Sequence, residues 1–236
     1  MNEEIAALTF DVFGTLVDWR SGVARAAEEA LAPKGHQLDW GAFADRWRAL
    51  YAPSMARVSR GEEPFVQLDV LHRRNLLEVL AEDGVHNLSE GEVDDLAHAW
   101  RRLDPWPDVL SGMARLKTKY VLANLSNGSV ALSVAMARRS GLPWDVILGA
   151  EVAHAYKPSP AAYDTAAHML QLAPHRCLMV AAHPADLAAA AARGFCTAYV
   201  HRPLERGPGK EAARPAPGAF GHHVDDLNAL ADILGC

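Results

Sequence analysis

The chain has 236 residues, half of them hydrophobic and 22% charged, which is enough apolar material for one typical domain with room for an insertion. Its formal net charge of -6, with both signs interspersed, offers no basic stripe to nucleic acid, and no apolar run approaches the ~20 residues of a membrane span. Cys177, Cys196 and Cys236 are too widely spaced for a disulfide framework or a zinc knuckle and read as reduced thiols; with the acidic start MNEEIAALTF, unlike a secretory leader, they point to a cytoplasmic protein.

In chain order, the first strand is expected at IAALTF, residues 5–10. A long stretch of helical texture follows. Phe43, Trp47, Leu50 and Tyr51 make one apolar stripe, and Phe65, Leu68, Leu76 and Val79 make another. A third begins with a capping box from Ser89 to Glu92 and carries Val93, Leu96, Trp100 and Leu103. The pattern predicts an all-helical insertion over 19–100, interrupting a core made of 1–18 and 101–236.

Four more strands are expected at 120–126, 146–152, 177–183 and 196–202, with helices between them, the order of βαβ units in a parallel sheet. Val130, Val134 and Ala137 recur at helical spacing before Gly141, a C-cap; Pro160 suits a first turn, with Tyr163, Ala167 and Leu170 on one face. ADLAAAAARG, 185–194, has high helix propensity. The Pro-, Gly- and Arg-rich 202–221 reads as a surface loop, before a final helix at about 224–234. There is no internal repeat.

Ligands bind at the carboxyl ends of strands in such sheets, so the polar residues ending the strand runs matter: Asp11, Ser126 with Asn127, Lys157 and Asp186. Singly, each reads equally well as a cap, a turn residue or a solvated charge. Ser126 and Asn127 are expected to open a helix whose N–H groups favour an anion. No GxSxG elbow, GxGxxG loop, Walker loop or zinc-ligand spacing occurs, and His222 and His223 read as solvent-exposed.

Four stretches, FDVFGTLVD, LSNGS, YKPSPAAY and VAAHPAD, in this order and at these separations, resemble the haloacid dehalogenase superfamily and, within it, the L-2-haloacid dehalogenases. The resemblance covers nearly the whole chain. It implies an α/β fold, a Rossmann-like parallel-sheet core with a helical cap inserted after the first strand. Superfamily phosphatases resemble DxDGT, in which the second acid protonates a departing alkoxide; Phe13 stands in that place and has no proton to give. A departing halide needs none, only hydrogen-bond donors or positive charge in a desolvated pocket. The superfamily's magnesium site needs acids in a fourth motif, which here keeps only Asp186, behind Ala181, Ala182 and His183. With Lys157 nearby, no metal and no other cofactor is expected.

By the same resemblance Asp11 is the nucleophile, attacking C2 of a small 2-halo acid to give an aspartyl ester that water hydrolyses to the 2-hydroxy acid with inverted configuration. Lys157 keeps Asp11 ionised, and Asp186 orients or activates the water. Arg48 and the Asn127 side chain hold the halide. Thr15, Ser126 and the main chain of Val12, Phe13 and Asn127 bind carboxylate oxygens of the substrate or of Asp11, Tyr163 bonds near the base of the site, and Phe13 and Phe65 line an apolar pocket. Many family members read Ser-x-Asn-x-x-Asp where this chain runs from Ala181 to Asp186. His183 thus replaces an asparagine and is expected near the halide or the hydrolytic water, which adds haloacetates, fluoroacetate included, to the candidate substrates. The family implies a homodimer. Two other readings stay open. One is attack on a different electrophile, a strained ring or a phosphate ester, the latter disfavoured by Phe13. The other is a non-catalytic binding protein, disfavoured by the retained Asp11, Arg48, Asn127, Lys157 and Asp186.

Overall fold

Buried aliphatic runs separated by helical spacers leave little choice but a parallel sheet closed by crossovers. In the computed structural model, which describes residues 4–236, the strands are β1 (Ala7–Phe10), β2 (Val121–Ser126), β3 (Val146–Gly149), β4 (Cys177–Ala181), β5 (Cys196–Val200) and β6 (His222–Val224). They pair in parallel in the order β3-β2-β1-β4-β5-β6. Residues 1–3 of the acidic start lie outside the described chain. The strand order reverses between β1 and β4, so a crevice opens at their carboxyl ends. Every residue of both strands is buried, with Leu8, Phe10, Leu178 and Val180 facing one apolar cluster and Met179 and Ala181 the other.

The stretch between β1 and β2 contributes α1 (Trp19–Leu31), α2 (Trp40–Ala49), α3 (Tyr51–Ser59), α4 (Leu68–Glu82) and α5 (Glu90–Ala97). Their starts are chemically marked: Asp18 accepts from Ser21 N, Asp39 accepts from Ala42 N, and Ser89 with Glu92 forms the expected capping box. Phe43 and Trp47 are fully buried, and Trp47 Nε1 donates to the His72 carbonyl at 2.9 Å. The two ends of this stretch meet: Val17 bridges Pro105, and Asp18 N donates to Asp104 O at 3.0 Å. Phe65 stands before α4 rather than in it. The irregular backbone before α4 is held where the Tyr156 hydroxyl donates to Val66 O at 2.7 Å.

Around the sheet lie α6 (Val109–Leu116), α7 (Val130–Ser140), α8 (Ala150–Ala153), α9 (Pro160–Leu170), α10 (Pro184–Ala191) and α11 (Leu227–Ile233). Three expectations need correction. The third strand ends at Gly149 instead of 152, because Gly149 takes φ +112° against Ser126, where a Cβ would sit 2.1 Å from the Ser126 carbonyl oxygen. Ser126 and Asn127 do not open a helix: α7 begins at Val130, with Ser129 as the N-cap accepting from Leu132 N. The chain after 221 first adds β6 to the sheet edge, half-burying His222 and His223, and only then forms α11 behind the Asp226 cap. Among the described residues no helix is long and apolar enough to cross a membrane.

Candidate active site

Asp11 sits one residue beyond β1, at the crevice, and its two carboxylate oxygens are treated differently. Oδ1 accepts from Lys157 Nζ at 3.0 Å; Oδ2 accepts from the Thr15 hydroxyl at 2.7 Å and from His183 Nδ1 at 2.9 Å. Lys157 Nζ also donates to Asp186 Oδ2, and the Tyr163 hydroxyl donates to Asp186 Oδ1 at 2.6 Å. One ammonium thus bridges two carboxylates in a region where the three side chains are only 6–11% exposed. Burial works against the Asp11 charge, yet the Lys157 ammonium and His183 hold its carboxyl well below the usual range. Asp186 goes the other way: burial raises it, the adjacent Asp11 charge adds to this, and Lys157 only partly offsets them. Burial disfavours the Lys157 charge as well, but its two carboxylate partners keep the amine protonated. Two acids on one lysine are therefore pushed in opposite directions, Asp11 down and Asp186 up.

Local structure explains how these side chains arrive. Asn127 Oδ1 accepts from Lys157 N at 2.7 Å, so the asparagine after β2 fixes the main chain that carries the lysine. Ala182 N, just after β4, donates to Thr15 Oγ1 at 2.9 Å, leaving the hydroxyl hydrogen for Asp11. On the far side of His183, Nε2 lies 3.0 Å and 3.1 Å from the two carboxylate oxygens of Glu205, which also accepts from Trp19 Nε1 at 3.1 Å. Glu205 belongs to the Pro- and Gly-rich segment after β5. That segment is anchored by buried Arg202, whose guanidinium donates to both Asp108 oxygens at 2.8 Å and to Thr15 O at 2.8 Å. Gly14, at φ +83°, makes room for Glu205: a Cβ there would lie 2.2 Å from Oε1.

Above these groups is a cavity of about 640 Å3. Phe13, Trp19, Tyr51 and Met55 form apolar wall, and Phe13 is 2% exposed, with edge contacts to Tyr51, His72 and Trp100. Arg48 reaches the cavity from α2. Its guanidinium carbon lies 3.9 Å from the Tyr51 ring centroid and 5.5 Å from that of Trp19, while Nη1 is buried with no hydrogen-bond partner among the described residues. Arg48 lines the cavity, so its guanidinium sets a fixed positive charge beside the apolar wall, where an anion is favoured. The acids do not fit a magnesium ion, because the Lys157 ammonium already lies between Asp11 and Asp186; no cluster suited to a metal occurs among the described residues.

A family model for haloacid dehalogenase-like hydrolases matches residues 5–194. The chain belongs to this family. Within it, the chain is similar to a solved defluorinating L-2-haloacid dehalogenase, at 44% identity and a TM-score of 0.95, over 98% of this chain and 96% of that one. It is 29% identical to (S)-2-haloacid dehalogenase 4A of Burkholderia cepacia, over 99% of this chain and 96% of the relative. It is also similar to the L-2-haloacid dehalogenase of Xanthobacter autotrophicus solved with chloropropionic acid covalently bound, at 25% identity, a TM-score of 0.81 and 98% of each chain.

In this haloacid dehalogenase-like hydrolase the cleft gathers Asp11, Phe13, Arg48, Asn127, Lys157, Tyr163, His183 and Asp186. Thr15, though not in the cavity lining, binds an Asp11 carboxylate oxygen, one of its two expected partners. Three expected residues stand elsewhere. Val12 is outside the cavity lining. The Ser126 hydroxyl accepts from Gly128 N at 3.0 Å, within its own turn. Phe65 packs on Tyr156 and His154, outside the cavity lining, because the unwound segment before α4 carries it there. His183 has both ring nitrogens committed to carboxylates, which leaves neither for a halide. Glu205, Trp19 and Tyr51 were not anticipated as site residues. For Glu205 a signal existed: it lies in the segment following β5, at the same edge of the sheet as the other strand ends.

Proposed function

We propose that the protein hydrolyses small (S)-2-halo acids, haloacetates among them, to 2-hydroxy acids and halide through an ester on Asp11. The observation that carries this is an Asp11 carboxylate held ionised by Lys157 at the floor of an apolar cavity, with buried Phe13 where a phosphatase would hold its acid. Asp11 Oδ1, which bears the single contact to Lys157, attacks C2 opposite the halogen. Negative charge passes to the halide, and the Arg48 guanidinium on the cavity wall receives it. Phe13 and its aromatic neighbours keep water from the leaving side. Water held by Asp186 then attacks the Asp11 carboxyl carbon. The names of the similar proteins support the substrate class, and the covalently bound chloropropionic acid of the Xanthobacter protein supports the ester.

The same reading takes residues 19–100 as a cap on a core of 1–18 and 101–236, supported by the meeting of Val17 with Pro105. It also takes the protein as a cytoplasmic homodimer, its three cysteines being free. The test is a panel of 2-halo acids and p-nitrophenyl phosphate, with and without EDTA. Halide release that ignores EDTA and disappears in Asp11→Asn is the expected result; phosphate release that requires magnesium contradicts it.

A further inference from the structure

The donors around Asp11 are unequally shared, and the inequality matches the two steps of the proposed reaction, on which this inference rests. Oδ1 has the Lys157 ammonium alone, whereas Oδ2 has two donors, the Thr15 hydroxyl and His183 Nδ1. His183 lies between two carboxylates, and ionised carboxylates can only accept, so both ring nitrogens carry protons and the ring is an imidazolium. We propose that the His183 imidazolium, held by Glu205, acts together with Thr15 to stabilise the oxyanion that forms on Asp11 Oδ2 when water attacks the ester, and so serves ester hydrolysis rather than carbon–halogen cleavage.

Electron movement follows the contacts. In the first step a lone pair on Oδ1 forms the bond to C2, and the carbon–halogen pair leaves with the halide. Cγ–Oδ2 becomes the carbonyl of the ester. In the second, water oxygen bonds to Cγ, its proton passes to Asp186, and the carbonyl pair moves onto Oδ2, facing the two donors already there. As that pair returns, the Cγ–Oδ1 bond breaks and its electrons go to the product oxygen beside Lys157. The product takes a proton from Lys157 there and leaves as the hydroxy acid; Asp186 returns the first water proton to Lys157, and Asp11, re-formed as its carboxylic acid, releases the second to solvent.

Glu205 has a distinct part. While Asp11 is free, two anions hold the imidazolium; once Asp11 is esterified its charge is gone and Glu205 is the one anion still bonded to the ring. Burial opposes the His183 charge, but the hydrogen bonds to Asp11 and Glu205 push it up to about 10 before the reaction begins. His183 itself, then the Trp19 indole and, through its charge, Arg48 lower the Glu205 carboxyl against its burial. Glu205 is thus a positioning residue for His183. A cation on Oδ2 also stabilises the Asp11 anion before attack, so removing it does not slow the first step.

The test is rapid quench with (S)-2-chloropropionate on wild type, His183→Asn and Glu205→Gln, following halide release and the mass of the intact protein, with thermal melting as the control for folding. Both variants are expected to release one equivalent of chloride per site as fast as wild type or faster. They then stall with the acid esterified to the protein, steady turnover falling ~10²-fold in His183→Asn and ~10-fold in Glu205→Gln. In Glu205→Gln the alkaline fall in steady turnover should also move to lower pH, since Asp11 and Glu205 are the carboxylates bonded to the ring, the ester state of the variant leaves neither charged, and Arg48, Lys157, Asp186, Arg206 and Lys210 line the same cavity. Wild type that turns over, beside folded variants with a slowed burst and no ester, overturns the role of the pair. Wild type that releases no halide from any 2-halo acid overturns the dehalogenase reading itself.

Discussion

Replacing Lys157 by Met keeps the stem and removes the charge that Asp11 and Asp186 share. At 3.0 Å and an effective dielectric of ~20, the Lys157–Asp11 attraction alone amounts to about 5 kcal/mol, and removing one partner of a buried pair costs roughly 3–5 kcal/mol. His183 still faces Asp11, so the lower end applies, and the variant should lose about 3 kcal/mol of unfolding free energy at pH 7. The sign with pH follows from the two acids. In wild type the depressed Asp11 carboxyl contributes stability above the unfolded value of ~3.9, lost only as pH falls through its folded value. Without the ammonium the Asp11 depression shrinks and the Asp186 elevation grows, so relative to wild type the variant loses stability as pH rises through the carboxylate range. The gap between the proteins should therefore be widest above about pH 6 and narrow toward pH 4. Urea titrations at both pH values measure it. A gap equally wide at the two, or under about 1 kcal/mol at pH 7, refutes the shared-ammonium picture.

Arg48→Lys retains a charge but loses the planar stacking on Tyr51, and kcat/KM for halide release should fall by about tenfold or more, mostly in kcat, because the halide is fully charged only late in the step. Gly14→Ala forces a Cβ toward Glu205 at a positive φ, and a melting temperature lower by at least about 4 °C is expected by scanning fluorimetry. Phe13→Ala should cost about 3–5 kcal/mol in a urea titration, given its burial against Tyr51, His72 and Trp100.

Strands carried the clearest signal in the sequence. Continuous apolar runs such as Cys177–Ala181 have no other economical use than a strand buried on both faces, and the residues that end them converge on one crevice for topological reasons. Asp11, Lys157 and Asp186 could be picked out in this way, and the aromatic at position 13 already excluded a second acid. Glu205 could be suspected from its place after β5, but its contact with His183 could not be read from pattern. It has no period and is 22 residues from His183, and its position depends on Arg202 clamping Asp108 across the sheet edge. The strand at His222–Val224 was hidden for a similar reason, since three residues at an edge need little hydrophobic signature. Asn127 was legible as a site residue but not its contact: its amide oxygen meets the Lys157 main chain, a contact that only the folded loop defines.

The central claim is that the Asp11 carboxylate attacks carbon. A single turnover of (S)-2-chloropropionate with excess protein in heavy-oxygen water, followed by peptide mass analysis, tests it directly. The account predicts one heavy oxygen in the peptide carrying Asp11 and none in the hydroxy acid. Product that carries the heavy oxygen itself, with Asp11 unlabelled, would mean that water attacks the substrate carbon and that no ester forms.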